Sequence, residues 1–302
     1  MHAEILNDHN LFYEQAFKRN IGILTREDQE KIRQTKVAIV GCGGVGGAHL
    51  LNLVRLGVTR FHIADMDCFD VVNIQRQSGA VKETLGQNKA RSMKEMALSI
   101  NPHIDISVFE EGVNELNIND FLDGTDILLD GIDFFCIDMR RKLFMNAHRQ
   151  GIYTITAGPL GFGSALLVFS PSGMNFDQYF DIDDCMTYLQ KLIAFAVGLA
   201  PASLHMSYLN LGKVDPTAKS GPALVSSCLL CSALAITEAV KIITEREAVK
   251  AVPHYFQFDP FLQKYKKGYL FGANRHALQK IKRWFLYRKF REYETEKLFQ
   301  QA

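Results

Sequence analysis

The sequence predicts an α/β fold with a mostly parallel sheet continued by antiparallel strands, plus a helical insert and a basic C-terminal helix. Three observations carry this expectation. An apolar run, Lys36–Val40, leads directly into Gly41-Cys42-Gly43-Gly44-Val45-Gly46 and then a segment of helix length. Between Val37 and Thr156, short β-rich runs alternate with helix-length segments, the spacing that the crossover helices of a parallel sheet require. Past Thr156 the alternation stops, and a turn-rich stretch, Gly158–Gly163, precedes a further strand at Ala165–Phe169.

Residues 1–35 read as an irregular arm followed by a helix that Thr25 caps, with Asp28 completing an approximate capping box. The first strand is Val37–Val40, and its helix runs from about Val45 to Leu56, with Gly57 as the stop. Arg60–Ala64 is the second strand. A long surface segment, Cys68–Gly86, leads to a helix from near Asn88 to Ile100, which Asn101-Pro102 ends. Strands follow at Ile104–Phe109 and Ile127–Leu129, then a helix at Phe135–Gln150 and a strand at Tyr153–Thr156. Gly173–Ser220 lacks strand alternation and holds an apolar helical stretch, Tyr188–Leu199. Pro222–Ile243 has the small-residue pattern of a closely packed helix, and His254–Asp259 reads as a final strand. The expected division is one domain over 1–262, with an insert or crossover at about 173–220, and a basic helical tail over 263–302.

With 302 residues, 47% apolar and 22% charged, the chain suits one large α/β domain with an appendage, or two modest domains. No apolar stretch approaches the roughly 18–20 residues that span a bilayer. The start, Met1-His2-Ala3-Glu4, lacks the basic n-region of a secretory signal. Six cysteines in a chain of this size suggest reduced thiols, so a cytoplasmic location is expected. The net charge of +1 hides an asymmetry: Gln263–Ala302 holds eleven Lys/Arg against three Glu. Such a tail suits nucleic acid, an acidic partner, an anionic membrane, or simply a solvated helix. Within it, His276–Phe290 places Leu278, Ile281, Trp284 and Phe285 among five Lys/Arg, a basic amphipathic helix that suits a membrane surface, a partner or its own domain.

The chemistry concentrates between Gly41 and Ala90. Gly41 permits a tight turn, Gly43 lets backbone N–H groups approach a phosphate, Gly46 lets the helix pack on the strand, and Gly44 between them is a further candidate nucleotide contact. The helix N-terminus adds unpaired donors and a positive dipole end. This pattern alone means a nucleotide without saying which. Asp65, nineteen residues after Gly46 at the end of the second strand, is placed to accept hydrogen bonds from ribose hydroxyls. Asn73, Arg76 and Lys89 follow Asp65-x-Asp67, and cations there suit the β- and γ-phosphates of a triphosphate. A dehydrogenase that binds NAD(H), the competing reading, has no use for such a clamp.

In order, Asp65-x-Asp67, Asn73-Ile74-Gln75-Arg76-Gln77, Gly86-x-x-Lys89-Ala90, Asn101-Pro102 and Asp130-x-x-Asp133 resemble the ThiF/MoeB/HesA family of ubiquitin-activating-enzyme-like adenylyltransferases. The likeness covers about residues 15–170 and resumes at the helix from Pro222 and at Gln257-Phe258-Asp259. The resemblance implies a Rossmann-like fold, Mg-ATP as cosubstrate, and a homodimer. It implies that Asp65 holds the ribose, that Asn73, Arg76 and Lys89 hold the triphosphate, and that Asp133 binds Mg²⁺. Arg19 resembles the family's arginine that reaches the partner subunit's ATP. The implied reaction is adenylylation of a carboxylate: a ubiquitin-like or sulfur-carrier protein C-terminus, a small acid, or a threonylcarbamoyladenosine-type tRNA nucleoside. A fold that has lost its chemistry is a further alternative, against which Arg19, Arg76, Lys89 and Asp133 stand together.

The chain also departs from the family. It has one Cys-x-x-Cys pair, Cys228 and Cys231, inside an apolar helix pattern, so buried thiols are expected and structural zinc is not. Phe134 follows Asp133 where an Asn is frequent. Cys185 is the sole candidate for a thioester or persulfide nucleophile in 173–220, and the acids Asp181, Asp183 and Asp184 beside it are expected to raise a thiol pKa. His205 and His254 are candidates for a substrate site or for structural roles. The segment Gly173–Phe180, with Gly198-Leu199-Ala200-Pro201 and His205, resembles a bacterial subgroup with members fused to nitroreductase-like domains.

Overall fold

The computed structural model describes residues 2–215, 219 and 221–295. They fall into two units, Met1–Ile132 with Ser232–Val249, and Asp133–Cys231 with Lys250–Ala302. In the first, α1 (His2–Asn7), α2 (His9–Phe17) and α3 (Arg26–Gln34) precede β1 (Lys36–Val40). Then come α4 (Gly44–Leu56), β2 (Arg60–Ala64), α5 (Lys89–Ile100), β3 (Asp105–Phe109), α6 (Ile118–Leu122) and β4 (Ile127–Asp130). The four strands are parallel in the order β3-β2-β1-β4, with Val37 opposite Phe61 on one side and Ile127 on the other. Residues 37–40, 61–64 and 127–130 are buried throughout, as in parallel strands covered on both faces.

The arm expected at the start of the chain is helical. Asp8 caps α2 by accepting from the Asn10 and Leu11 amides at 2.9 Å each, and Tyr13 and Phe17, one turn apart, are buried. The Tyr13 hydroxyl donates to the Gly57 carbonyl (2.8 Å) and accepts from Gln29 Nε2 (2.9 Å), which ties α2 and α3 to the end of α4. Gly57 ends α4 at φ 107°, and a Cβ there would lie 2.6 Å from that hydroxyl. The capping box of Thr25 and Asp28 is present as expected, and Arg246 Nη1 adds an ion pair to Asp28 at 3.1 Å.

The second unit holds α7 (Ile137–Arg149), β5 (Tyr153–Leu160), β6 (Gly163–Phe169), α8 (Phe176–Phe180) and α9 (Tyr188–Leu199). The long α10 (Val225–Thr244) begins in this unit, and β7 (His254–Asp259), β8 (Lys264–Tyr269), α11 (Ala277–Phe290) and α12 (Glu292–Thr295) complete it. Its strands run antiparallel in the order β5-β6-β7-β8. The segment read as an insert supplies the core: Phe176, Tyr179 and Phe180 of α8 and Phe195 of α9 pack with Phe144 and Phe169. Gly198 is required by this packing, since a Cβ would lie 2.5 Å from the Phe180 ring.

Two expectations are corrected. Lys264–Tyr269 is a strand rather than part of a helical tail; it pairs with β7, Phe258 opposite Tyr265, and its lysines guard the edge against further pairing. The apolar length limit also fails for α10, whose twenty residues are long and apolar enough, by length and composition, to cross a bilayer. Its buried Cys228, Cys231, Ala235 and Ala239 recur three or four residues apart, and Lys241 pairs with Glu238 at 2.6 Å. That is the pattern of a core helix burying one stripe.

His49, on α4, is fully buried, and neither ring nitrogen has a hydrogen-bond partner among the described residues. Burial pushes its pKa down from 6.5 to about 3. The unfolded chain therefore takes up this proton first, so the stability is present above pH 6.5 and is lost as the pH falls toward 3. One proton corresponds to about 1.4 kcal/mol per pH unit at limiting slope. Urea unfolding between pH 6.5 and 4 should show that slope in the native chain and lose about one proton of it in His49→Leu.

Candidate nucleotide site

The glycine turn is built by three backbones that meet without side chains. Gly41 has φ 82°, and a Cβ on it would lie 2.2 Å from the Gly131 carbonyl oxygen. A Cβ on Gly46 would lie 1.8 Å from the Gly41 carbonyl, and one on Gly131 would lie 2.7 Å from the same oxygen. The end of β1, the start of α4 and the residue after β4 thus interlock. Gly43 is the N-cap residue of α4 and makes no side-chain cap, and Gly44 opens the helix, whose first amides have no intrahelical acceptor.

Asp65 braces this turn. Its Oδ2 accepts from the Cys42 amide at 2.6 Å and its Oδ1 from the Asp67 amide at 2.9 Å. Burial raises its pKa, against those two hydrogen bonds and the Lys89 charge, which lower it. Each carboxylate oxygen keeps a lone pair for a further donor such as a ribose hydroxyl. Lys89, at the first turn of α5, is buried, and its Nζ pairs with Asp67 Oδ2 at 3.0 Å while its amide donates to the Asp67 carbonyl at 2.8 Å. Asp67 is therefore the residue that aims Lys89.

Asn73 caps a local turn by accepting from the Asp70 amide at 3.0 Å, and the half-exposed Arg76 donates to the Val72 carbonyl at 3.3 Å. The link from this turn to the glycine loop is Gln77, which had been assigned no role. A Cβ on Gly43 would lie 3.5 Å from its Nε2, and its buried Oε1 has no partner among the described residues. Asn88 is a second such residue: its Oδ1 caps α5 through the Arg91 amide (3.0 Å) while its Nδ2 donates to the Asp65 carbonyl (3.0 Å). The sequence signal for both is an amide next to a cationic site residue, one after Arg76 and one before Lys89.

Asp133 opens the second unit and is exposed. Its Oδ1 accepts from the Phe135 amide at 2.9 Å, and its carbonyl accepts from Arg140 Nη2 at 3.1 Å, while Arg140 stacks 4.5 Å over Phe195. Its outer oxygen suits a hard cation such as Mg²⁺. No group of three or more His, Cys, Asp or Glu with metal-holding geometry occurs among the described residues. Arg19 is exposed on the turn Lys18–Asn20.

The remaining candidates lie in the second unit. Cys228 and Cys231 are buried and in no disulfide; Cys231 Sγ lies 3.1 Å from Ser164 Oγ, and burial pushes the Cys231 thiol above its ordinary range. Cys185 is exposed, and its amide donates to Asp183 at 2.9 Å. Arginines occupy the other two acids near it: Arg141 bonds Asp184 at 2.6 Å, and Arg283 and Arg275 bond Asp181 at 2.8 and 3.1 Å. His205 is held at a pKa of about 4 by burial, and His254 is turned to the Ala251 carbonyl at 3.0 Å.

The ThiF family pattern matches residues 17–276, and the chain belongs to that family. It is similar to a tRNA threonylcarbamoyladenosine dehydratase of Haemophilus influenzae, 31% identical over 150 residues, 49% of this chain and 57% of that protein. It is also similar to MoeZ, a probable adenylyltransferase/sulfurtransferase of Mycobacterium tuberculosis, 27% identical over 229 residues, 72% of this chain and 50% of that protein. The chain spans about half the length of these curated relatives. Among solved structures, that of PaaA shares the fold with a TM-score of 0.63 at 18% identity, covering 89% of this chain and 82% of that one.

Since the obstruction at Gly46 is a backbone carbonyl that no rotamer change relieves, Gly46→Ala should destabilise the chain by more than about 2 kcal/mol. A smaller shift of the urea midpoint would show that α4 is not held in close contact with Gly41.

Proposed function

We propose that the chain transfers the adenylyl group of ATP to a substrate carboxylate and releases pyrophosphate. The observation that carries this reading is the buried Lys89 aimed by Asp67, beside an Asp65-braced glycine turn, in a member of the ThiF family. A buried ammonium held by an exposed carboxylate is poised to exchange that partner for a phosphate oxygen. Asp65 orients the ribose, the α4 amides and Lys89 receive the phosphates, and Asn73 and Arg76 complete the clamp. Asp133 would hold Mg²⁺, which when bound supplies charge neutralisation at the phosphates. The carboxylate oxygen attacks the α-phosphorus, the α–β bridging bond breaks, and an acyl-adenylate and pyrophosphate form. The chain's share of this step is positioning and charge.

The adenylyltransferase/sulfurtransferase name of MoeZ supports adenylyl transfer, and similarity to a sulfur carrier protein ThiS adenylyltransferase of Escherichia coli supports a protein acceptor, whereas the dehydratase relative supports a threonylcarbamoyladenosine nucleoside, which also carries a carboxylate. The same proposal places the chain in the cytoplasm as a homodimer in which Arg19 of one subunit reaches the nucleotide of the other.

Pyrophosphate–ATP exchange in the presence of candidate carboxylates tests the reaction. Lys89→Ala should lower exchange on the order of 100-fold, as loss of about 3 kcal/mol of transition-state charge stabilisation implies. Undiminished exchange in that variant removes the role of Lys89, and NADH binding without ATP binding removes the reading altogether. For the dimer, mixing inactive Arg19→Ala with inactive Lys89→Ala should restore about a quarter of native exchange through hybrid sites. No recovery after verified subunit exchange places Arg19 on its own subunit's site.

A further inference from the structure

From Lys264 to Arg291 the chain has ten Lys/Arg and no acidic residue. The structure folds this stretch into β8 and α11 and gives α11 two unlike faces. The inner face is spent on the second unit: Leu286, Tyr287 and Phe290 pack with Leu189, Ile193 and Val197 of α9, and Gln279 is buried. Lys282 Nζ donates to the Pro201 carbonyl at 2.6 Å, and Arg283 pairs with Asp181 at 2.8 Å. These contacts fix the rotation of the helix.

The outer face is what that rotation leaves. Leu278, Ile281, Trp284 and Phe285 lie on one side of the helix and are 58–61% exposed. Helical spacing sets Lys280 along one border of this stripe and Lys289 along the other, both exposed, while Arg288 stacks 5.0 Å over the Trp284 ring. Just before α11, Phe271 is 78% exposed, and the edge strand β8 presents Lys264, Lys266, Lys267, Tyr265 and Tyr269 to solvent. A stripe of Leu, Ile, Trp and Phe between rows of Lys and Arg is the composition of a helix that lies in the plane of a lipid interface. The tryptophan within it suits the headgroup level. An acidic protein would answer the charge but not a stripe of four large apolar side chains left unbacked by any groove. A second copy would bring the same positive charge against itself.

We propose that this face, the outer side of α11, docks the protein on an anionic phospholipid surface, with Trp284, Ile281, Phe285 and Leu278 entering the headgroup–acyl boundary. It is a peripheral attachment, independent of the nucleotide chemistry.

Trp284 is the sole tryptophan of the chain, so its fluorescence reports on this face alone. The full chain is mixed with vesicles of phosphatidylcholine, with or without about 30% phosphatidylglycerol, at about 0.1 M salt. The expected result is a blue shift of the emission and co-sedimentation with the anionic vesicles, at least about tenfold tighter than with neutral ones and weakened by salt. The combined Leu278→Gln, Ile281→Gln, Phe285→Gln variant changes only exposed positions and should lose sedimentation; Lys280→Glu with Lys289→Glu should lose the preference for anionic lipid. The proposal is overturned by an unmoved emission on anionic vesicles, or by equal binding of the native chain and the triple variant. It is overturned equally by a blue shift that follows protein concentration without lipid, which assigns the face to a second copy, or by binding to polyglutamate but not to vesicles.

Discussion

The first unit depends on a contact that only hydrogen atoms can make. The Gly41 carbonyl, the Gly46 backbone and the Gly131 backbone meet so closely that a Cβ on Gly46 would stand 1.8 Å from a carbonyl oxygen. This approach sets where β1 ends, where α4 begins and how the residue after β4 crosses beside them. It also decides which amides remain available. The Cys42 amide is committed to Asp65, so the donors left for an anion are those of the first turn of α4. The backbone is packed too tightly here for side chains to satisfy those groups.

Electrostatics in this unit is arranged in series. Asp65 holds the turn, Asp67 donates its amide to Asp65 and holds Lys89, and Asn88 caps α5 while holding the end of β2. Each polar group is oriented by the preceding one, so the ammonium of Lys89 is aimed without being immersed in a like-charged cluster. Under the proposed activity a triphosphate takes over the part that Asp67 plays, and a buried charge passes from one partner to another without being left alone.

The second unit solves a different problem. Its core is aromatic, with Phe144, Phe169, Phe176, Tyr179, Phe180 and Phe195 in mutual edge and tilted contact. The acids around this core, Asp177, Asp181 and Asp184, are each met by arginine. Arg275 and Arg283 are thus spent on Asp181, while Lys280 and Lys289 of α11 stay exposed.

The glycine turn after β1, the parallel strands and the nucleotide-binding class were legible in the sequence. The reason is that close backbone approach and phosphate binding admit few residue types, glycine, a strand-end acid and cations, at spacings that helix and strand geometry dictate. The helical arm at 2–17, the edge strand Lys264–Tyr269 and the core role of residues 173–200 were not legible. Their propensities are ambiguous, and a lysine-rich edge strand resembles a solvated helix until a neighbouring strand supplies its pairing. Likewise, only the folded chain brings Arg141 to Asp184 and Arg275 and Arg283 to Asp181, from residues distant in sequence. The sequence by itself determined the nucleotide-binding class, because local spacing carries it. The tertiary structure alone decided that Asp67 aims Lys89, that Gln77 reaches the glycine loop, and which face of α11 stays open, because each depends on contacts between residues that the chain brings together only by folding.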